Sequence, residues 1–182
     1  MGNDTLVGDA LTFSVFNRGN VGDNTPPPTG SGGADTLSGG VGDDVLIGDA
    51  YGIFGTASGG DDRLFGGDGN DMLAGDSLAD GPSAPTPLFG DNGRGGNDRL
   101  FGEAGDDTLR GGSGILDGGA GVDTATFDGT RAGYTITNGL GTNGPGGTGV
   151  IVTQIASGDT DVVSAVEFLA FADVTLAVDQ LV

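Results

Sequence analysis

Aspartates 35, 44, 62, 71, 98 and 107 form three successive pairs, each pair nine residues apart, and their surroundings keep the same phase. The segments "GGVGDDVLI" (39–47), "GGDGNDMLA" (66–74), "GEAGDDTLR" (102–110) and "GGAGVDTAT" (118–126) share a Gly-rich approach, an Asp, and an apolar residue two positions later. Partial copies are "GNDTLV" (2–7), "GGADTLS" (32–38), "GGDDRLF" (59–65) and "GGNDRLF" (95–101). Self-similarity at a short fixed period is the signature of a repeat architecture, in which stacked units together bury what none can bury alone. A two-letter coincidence is easy in a Gly-rich chain; a kept phase of Gly, Asp and an apolar residue is not.

Composition shows what the period is for. Glycine supplies 41 of the 182 residues, against a usual share of ~7%. Of 26 acidic residues 24 are Asp, and only Glu103 and Glu167 are Glu. Preference for the shorter carboxylate points to acids held close to backbone, as in turns. Glycine at successive turn positions allows φ > 0 and turns backbone carbonyls toward one centre. Those carbonyls with a short carboxylate are the ligand set of a hard, oxygen-preferring cation such as Ca²⁺. The formal net charge of −20 leaves nothing to neutralise phosphates, which argues against nucleic acid, and disfavours an anionic membrane surface. No apolar run approaches the ~20 residues of a membrane helix. The chain has no His or Cys, so it carries no Ser-His-Asp triad, Cys nucleophile, disulfide or His-ligated zinc site. We expect no enzyme activity. An EF-hand is disfavoured because "DGND" (68–71) has no Glu at the twelfth position.

The repeat resembles the GGxGxDxUx nonapeptide of RTX (repeats-in-toxin) proteins over residues 2–126. The resemblance implies an all-β fold, a parallel β-roll or right-handed β-solenoid, in which six residues turn and bind calcium and three form a short strand. Two nonapeptides then make one coil. The ligands it assigns are Asp4, Asp35, Asp44, Asp62, Asp71, Asp98, Asp107 and Asp123, with Gly40, Gly42, Gly67, Gly69, Gly105, Gly119 and Gly121. Each strand sends one side chain inward: Leu6, Leu37, Leu46, Leu64, Leu73, Leu100, Leu109 and Leu116. Eight leucines make a thin core, too little to offset the ordering entropy of the chain. Several Ca²⁺ ions are therefore expected to stabilise the fold, and a disordered, self-repelling chain is expected without them.

The repeats are interrupted in an ordered way. Successive turns of a roll alternate between two edges, A and B. Asp44, Asp71 and Asp107 belong to near-complete turns on edge B, while Asp35, Asp62 and Asp98 on edge A follow incoming loops ending "GGxD". The loops, about 11–31, 51–58 and 78–94, leave after "LVGDA", "LIGDA" and "LAGDS", so all three should stack on edge A. Asp9, Asp49 and Asp76 stand at their exits. They are either additional calcium ligands or turn aspartates bonding their own backbone. The loops carry "TFSVF", "YGIF" and "PSAPTPLF", which suit a contact surface or a cover folded back on the roll. From Asp107 to Asp123 the spacing is 16 rather than 18, which puts one edge-A calcium position in doubt.

After Asp123 the Gly-Asp code fades. "TATF", "YTIT", "GVIVTQI", "DVV", "VEFLAF" and "VTLAV" read as strands, and residues 127–182 are expected to form a β-rich C-terminal cap over the end of the roll. "RAGYTIT", "VEFLAFAD" and the terminal "DQLV" resemble the tail that follows RTX repeats in proteins exported by type I secretion. The resemblance implies a secreted or cell-surface protein of a Gram-negative bacterium whose partner is the type I secretion apparatus. Two functions follow. One is a structural subunit of a surface layer, matrix or filament, associating end to end through its mid-repeat opening "MGNDTL" or through the edge-A loops. The other is the folding and export module of a larger toxin, protease, lipase or adhesin. Carbohydrate or ice binding through the loops has no motif behind it.

Overall fold

A computed structural model describes residues 2–3, 5–10, 33–50, 60–75, 96–139 and 149–181, and at 7–10 and 50 the backbone alone. Asp4, Asp76, the Asp9 side chain, the three inserted loops and most of the "TNGPGGTG" turn lie outside the described residues. Where an Asp is followed by Thr-Leu, Val-Leu, Met-Leu or Arg-Leu-Phe, the chain runs extended. Alternation then turns the leucine to one face and its neighbours to the other. In Arg63–Asp68 this leaves Arg63 exposed, Leu64 buried and Phe65 half-buried.

The strands sort into two sheets of seven, and the described residues contain no α-helix. In the first sheet, β1 (Thr5–Ala10), β3 (Val45–Ala50), β5 (Met72–Ala74), β7 (Thr108–Arg110) and β9 (Thr124–Thr126) lie parallel in that order. In the second, β2 (Thr36–Val41), β4 (Arg63–Asp68), β6 (Asn97–Ala104) and β8 (Ser113–Ala120) do the same. The chain crosses between sheets at every step, so two strands and two connections make one coil. This is the parallel β-roll expected from the nonapeptide. Register places Leu6, Leu46, Leu73, Leu109, Ala125 and Leu169 side by side in one sheet. Leu37, Leu64, Leu100, Leu116 and Val163 line up in the other. The two rows form the core; Leu6, in the end coil, is only partly buried.

The stack continues where the glycine code has stopped. β12 (Thr160–Ser164) pairs parallel with β8, and β13 (Phe168–Ala170) pairs parallel with β9, adding a further coil built of β-branched and aromatic residues. β10 (Tyr134–Gly139) and β11 (Gly149–Gln154) then run antiparallel onto β12, and β14 (Thr175–Ala177) antiparallel onto β13. An aromatic cluster seals this end. Phe127, Tyr134 and Phe171 meet at ring-centroid distances of 5.2–5.7 Å, with the Arg131 guanidinium 5.8 Å from the Phe171 ring centre. Rings of this size supply apolar area that the one-leucine strands lack.

The shortened repeat has a local cause. β6 and β8 pair with Asp98 opposite Gly114, so a glycine stands where the edge-A aspartate would fall. The missing residues come out of the connection at 111–112, between β7 and β8, and the Leu100–Leu116 register survives. Beside Gly114 the added coil places Asp161 in register, and that side chain is buried.

Candidate metal centre

Four six-residue turns, Gly39–Asp44, Gly66–Asp71, Gly102–Asp107 and Gly118–Asp123, carry the chain from the second sheet to the first along edge B. Their second and fourth residues take φ values that side chains resist: 117° at Gly67 and 139° at Gly69. Gly40, Gly42, Gly105, Gly119 and Gly121 adopt the same conformation in the other turns. In the third turn the second place is Glu103, at φ 74°. Turns lie directly on one another: Gly42 N–H donates to Asp68 O at 2.9 Å and Gly69 N–H to Ala104 O at 2.8 Å.

The terminal aspartate of each turn uses its two carboxylate oxygens differently. Oδ1 accepts the backbone N–H of the corresponding aspartate one coil earlier: Asp44 N–H to Asp71, Asp71 N–H to Asp107 and Asp107 N–H to Asp123, each at 2.8 Å. Edge A repeats the arrangement, with Asp35 N–H to Asp62 Oδ1 at 2.8 Å and Asp62 N–H to Asp98 Oδ1 at 2.9 Å. Oδ2 points back at the first glycine of its own turn. A Cβ at Gly66 would stand 2.9 Å from Asp71 Cγ and 2.8 Å from Gly102 O of the next coil. A Cβ at Gly102 would collide with Asp107 Oδ2 and with Gly118 O. The small spaces beside Gly66 and Gly102 are thus each bordered by a carboxylate oxygen and a carbonyl oxygen from the following turn.

The electrostatics of that space call for a cation. Oδ2 of Asp71, Asp107 and Asp123 is buried and accepts no hydrogen bond, a costly state for an ionised oxygen. Burial pushes the Asp107 carboxyl up to about 6; the Asp71 N–H bond pulls it back, and the charges of Asp123, Asp71 and Asp106 push the same way as burial. Asp71 and Asp123 are also raised, again chiefly by burial. Among the described residues no three His, Cys, Asp or Glu side chains converge. A cation would therefore be held by single carboxylates and backbone carbonyls. All-oxygen coordination rich in carbonyls fits Ca²⁺ far better than a transition metal. Bound there, Ca²⁺ supplies the positive charge that the stacked carboxylates lack.

A family model of the RTX calcium-binding nonapeptide repeat matches residues 29–50, 55–81 and 92–125, in four copies. The chain carries RTX calcium-binding repeats. No curated protein matches it. The RTX match ends at residue 125, so the coil of β12 and β13 lies beyond it.

The structure also brings in residues that the repeat resemblance does not assign as ligands. The first glycines, Gly39, Gly66, Gly102 and Gly118, border the carboxylates most closely; their invariance across the four turns was the available signal. The residue before each aspartate builds a second ladder running the other way. Asn3 Oδ1 accepts Asp43 N–H at 3.1 Å, Asp43 accepts Asn70 N–H and Asn70 accepts Asp106 N–H at 2.9 Å, and Asp106 accepts Val122 N–H at 2.8 Å. On edge A, Asp61 accepts Asn97 N–H at 2.8 Å. The recurring Asp-Asp and Asn-Asp dipeptides carried that information. Asp49 Oδ2 accepts Gly60 N–H at 2.6 Å, a contact made across the second insertion. Where Gly114 interrupts edge A, a cleft is lined by Arg110, Asp128, Tyr134 and Asp161, and Arg110 pairs with Asp128 at 2.6 Å.

Proposed function

We propose that the protein is a secreted, non-enzymatic calcium-binding β-roll that folds on meeting Ca²⁺ outside the cell and serves as a structural subunit of a layer, matrix or filament. The observation that carries the reading is the double column of stacked aspartates, in which Asp62, Asp71 and Asp107 are buried and face the carbonyls of Gly75, Gly102 and Gly118 in the next coil. At net charge −20 such a column repels itself in a calcium-poor cytoplasm and condenses at millimolar external calcium. Export as an unfolded chain followed by folding outside is the sequence of events this favours, and the tail's resemblance to those of type I-exported RTX proteins supports the type I apparatus as the exporter. For self-assembly the supporting observation is that β1 and β2 are the terminal strands of the two sheets. Among the described residues each leaves a parallel edge without a strand partner, on which another coil can stack. The same edge equally receives upstream coils of one long chain, which supports a second reading as the folding and export module of a larger effector.

Circular dichroism titrated with Ca²⁺, with light scattering on the same samples, tests both parts. Cooperative gain of β signal with growth in particle mass supports the subunit; gain of β signal in a monomer favours the module. Full β signal in excess chelator would refute the reading.

A further inference from the structure

At the C-terminal end of edge B the aspartate ladder changes residue type. Asp123 N–H has no next aspartate to meet; it donates to Glu167 Oε2 at 2.7 Å, forty-four residues away in the connection from β12 to β13. The carbonyl of Asp123 in turn accepts the N–H groups of Glu167 and Phe168, both at 3.1 Å. The added coil is therefore fastened to this one residue by three hydrogen bonds.

The space beside Gly118 is built like the spaces beside Gly66 and Gly102. A Cβ there would stand 2.5 Å from Asp123 Oδ2 and would collide with Ala165 O. The carbonyl that Gly102 and Gly118 supply to the upstream positions thus comes here from Ala165. To aim it, Ala165 adopts φ 48°, a left-handed conformation that a non-glycine residue resists. Asp123 is fully buried, and its Oδ2 accepts no hydrogen bond. Nothing in the spelling "SAVEF" (164–168) announces this role.

We propose that Asp123 Oδ2 and the Ala165 carbonyl are ligands of a terminal calcium site shared between the last RTX turn and the C-terminal coil, with Glu167 as its positioning residue. Calcium then does more than order the roll: it docks the segment 160–170 onto it. The proposal rests on the reading that the RTX turns bind calcium, and the test separates the two.

The full chain is titrated with Ca²⁺ by calorimetry while hydrogen–deuterium exchange follows peptides 60–75 and 160–181. Asp123→Asn, which keeps an acceptor for Asp107 N–H, is expected to bind one ion fewer and to lose calcium-dependent protection in 160–181 while 60–75 keeps it. Glu167→Ala, at an exposed side chain, is expected to keep the ion count and move protection of 160–181 to about tenfold higher calcium, the usual cost of losing a residue that orients a ligand. A wild-type ion count with unchanged protection in Asp123→Asn overturns the proposal. So does an unshifted titration of Glu167→Ala, which decides the matter if Asp123→Asn fails to order. A wild-type chain that takes up no calcium overturns instead the calcium reading on which the proposal stands.

Discussion

Replacing Asp107 by Asn should have opposite consequences with and without calcium. Asn keeps an oxygen for the 2.8 Å bond from Asp71 N–H but puts an amide where Oδ2 faces Gly118 O. With calcium present a ligand is lost: one ion fewer in calorimetry and a dichroism midpoint moved up at least about tenfold. With chelator present the variant should be the more ordered protein. The carboxyl lies at about 6 in the fold against 3.8 in the open chain. At about 1.4 kcal/mol per unit, keeping it ionised at pH 7 costs the metal-free fold at most about 3 kcal/mol, and less to the extent that solvent screens the carboxylate. Since the folded value is the raised one, the metal-free fold binds more protons than the open chain. Its stability is greatest below pH ~4 and is lost as pH rises through about 6. Wild-type protein in chelator should therefore gain β signal on acidification from pH 7 to 5, and the advantage of Asp107→Asn should shrink over the same window. Dichroism of both proteins in chelator across that range is the assay. A variant less ordered than wild type in chelator at pH 7, or one with unchanged calcium uptake, would refute the reasoning.

Glu103→Gly removes a side chain from φ 74° and should stabilise the calcium-loaded fold by about 1 kcal/mol, seen as a higher melting temperature. Gly66→Ala drives a methyl to 2.8 Å from Gly102 O and should abolish one calcium position, whereas Gly133→Ala, with nothing within 4 Å of its new methyl, should leave uptake as it is; equal calorimetric titrations of the two would count against the site. Phe127→Ala empties the centre of the aromatic cluster and should cost about 3–5 kcal/mol, raising exchange first in peptides 134–139 and 168–178.

Much of the roll is legible in the amino-acid order because its grammar is local. A glycine tolerating φ above 100° at Gly67, an aspartate four residues on and a leucine two beyond that specify turn and strand within nine residues. No other residue type meets those conformations as easily. Loop insertions leave this unit untouched, which is why the leucine rows could be named from the chain alone.

What one coil does to the next is decided by tertiary structure. Asp44 meets Asp71 across 27 residues, Asp71 meets Asp107 across 36 and Asp107 meets Asp123 across 16, so no fixed spacing encodes the ladder; the loops between turns set each separation while strand pairing restores one register. Asp161 and Glu167 reach the ends of the two columns by the same means, from a segment without the glycine code. Asp49 meets Gly60 across 11 residues, a separation the nonapeptide does not encode. The chain alone determines that carboxylates and carbonyls will face inward at each turn. The stacking of coils determines which carbonyl faces which carboxylate, and therefore where an ion can sit.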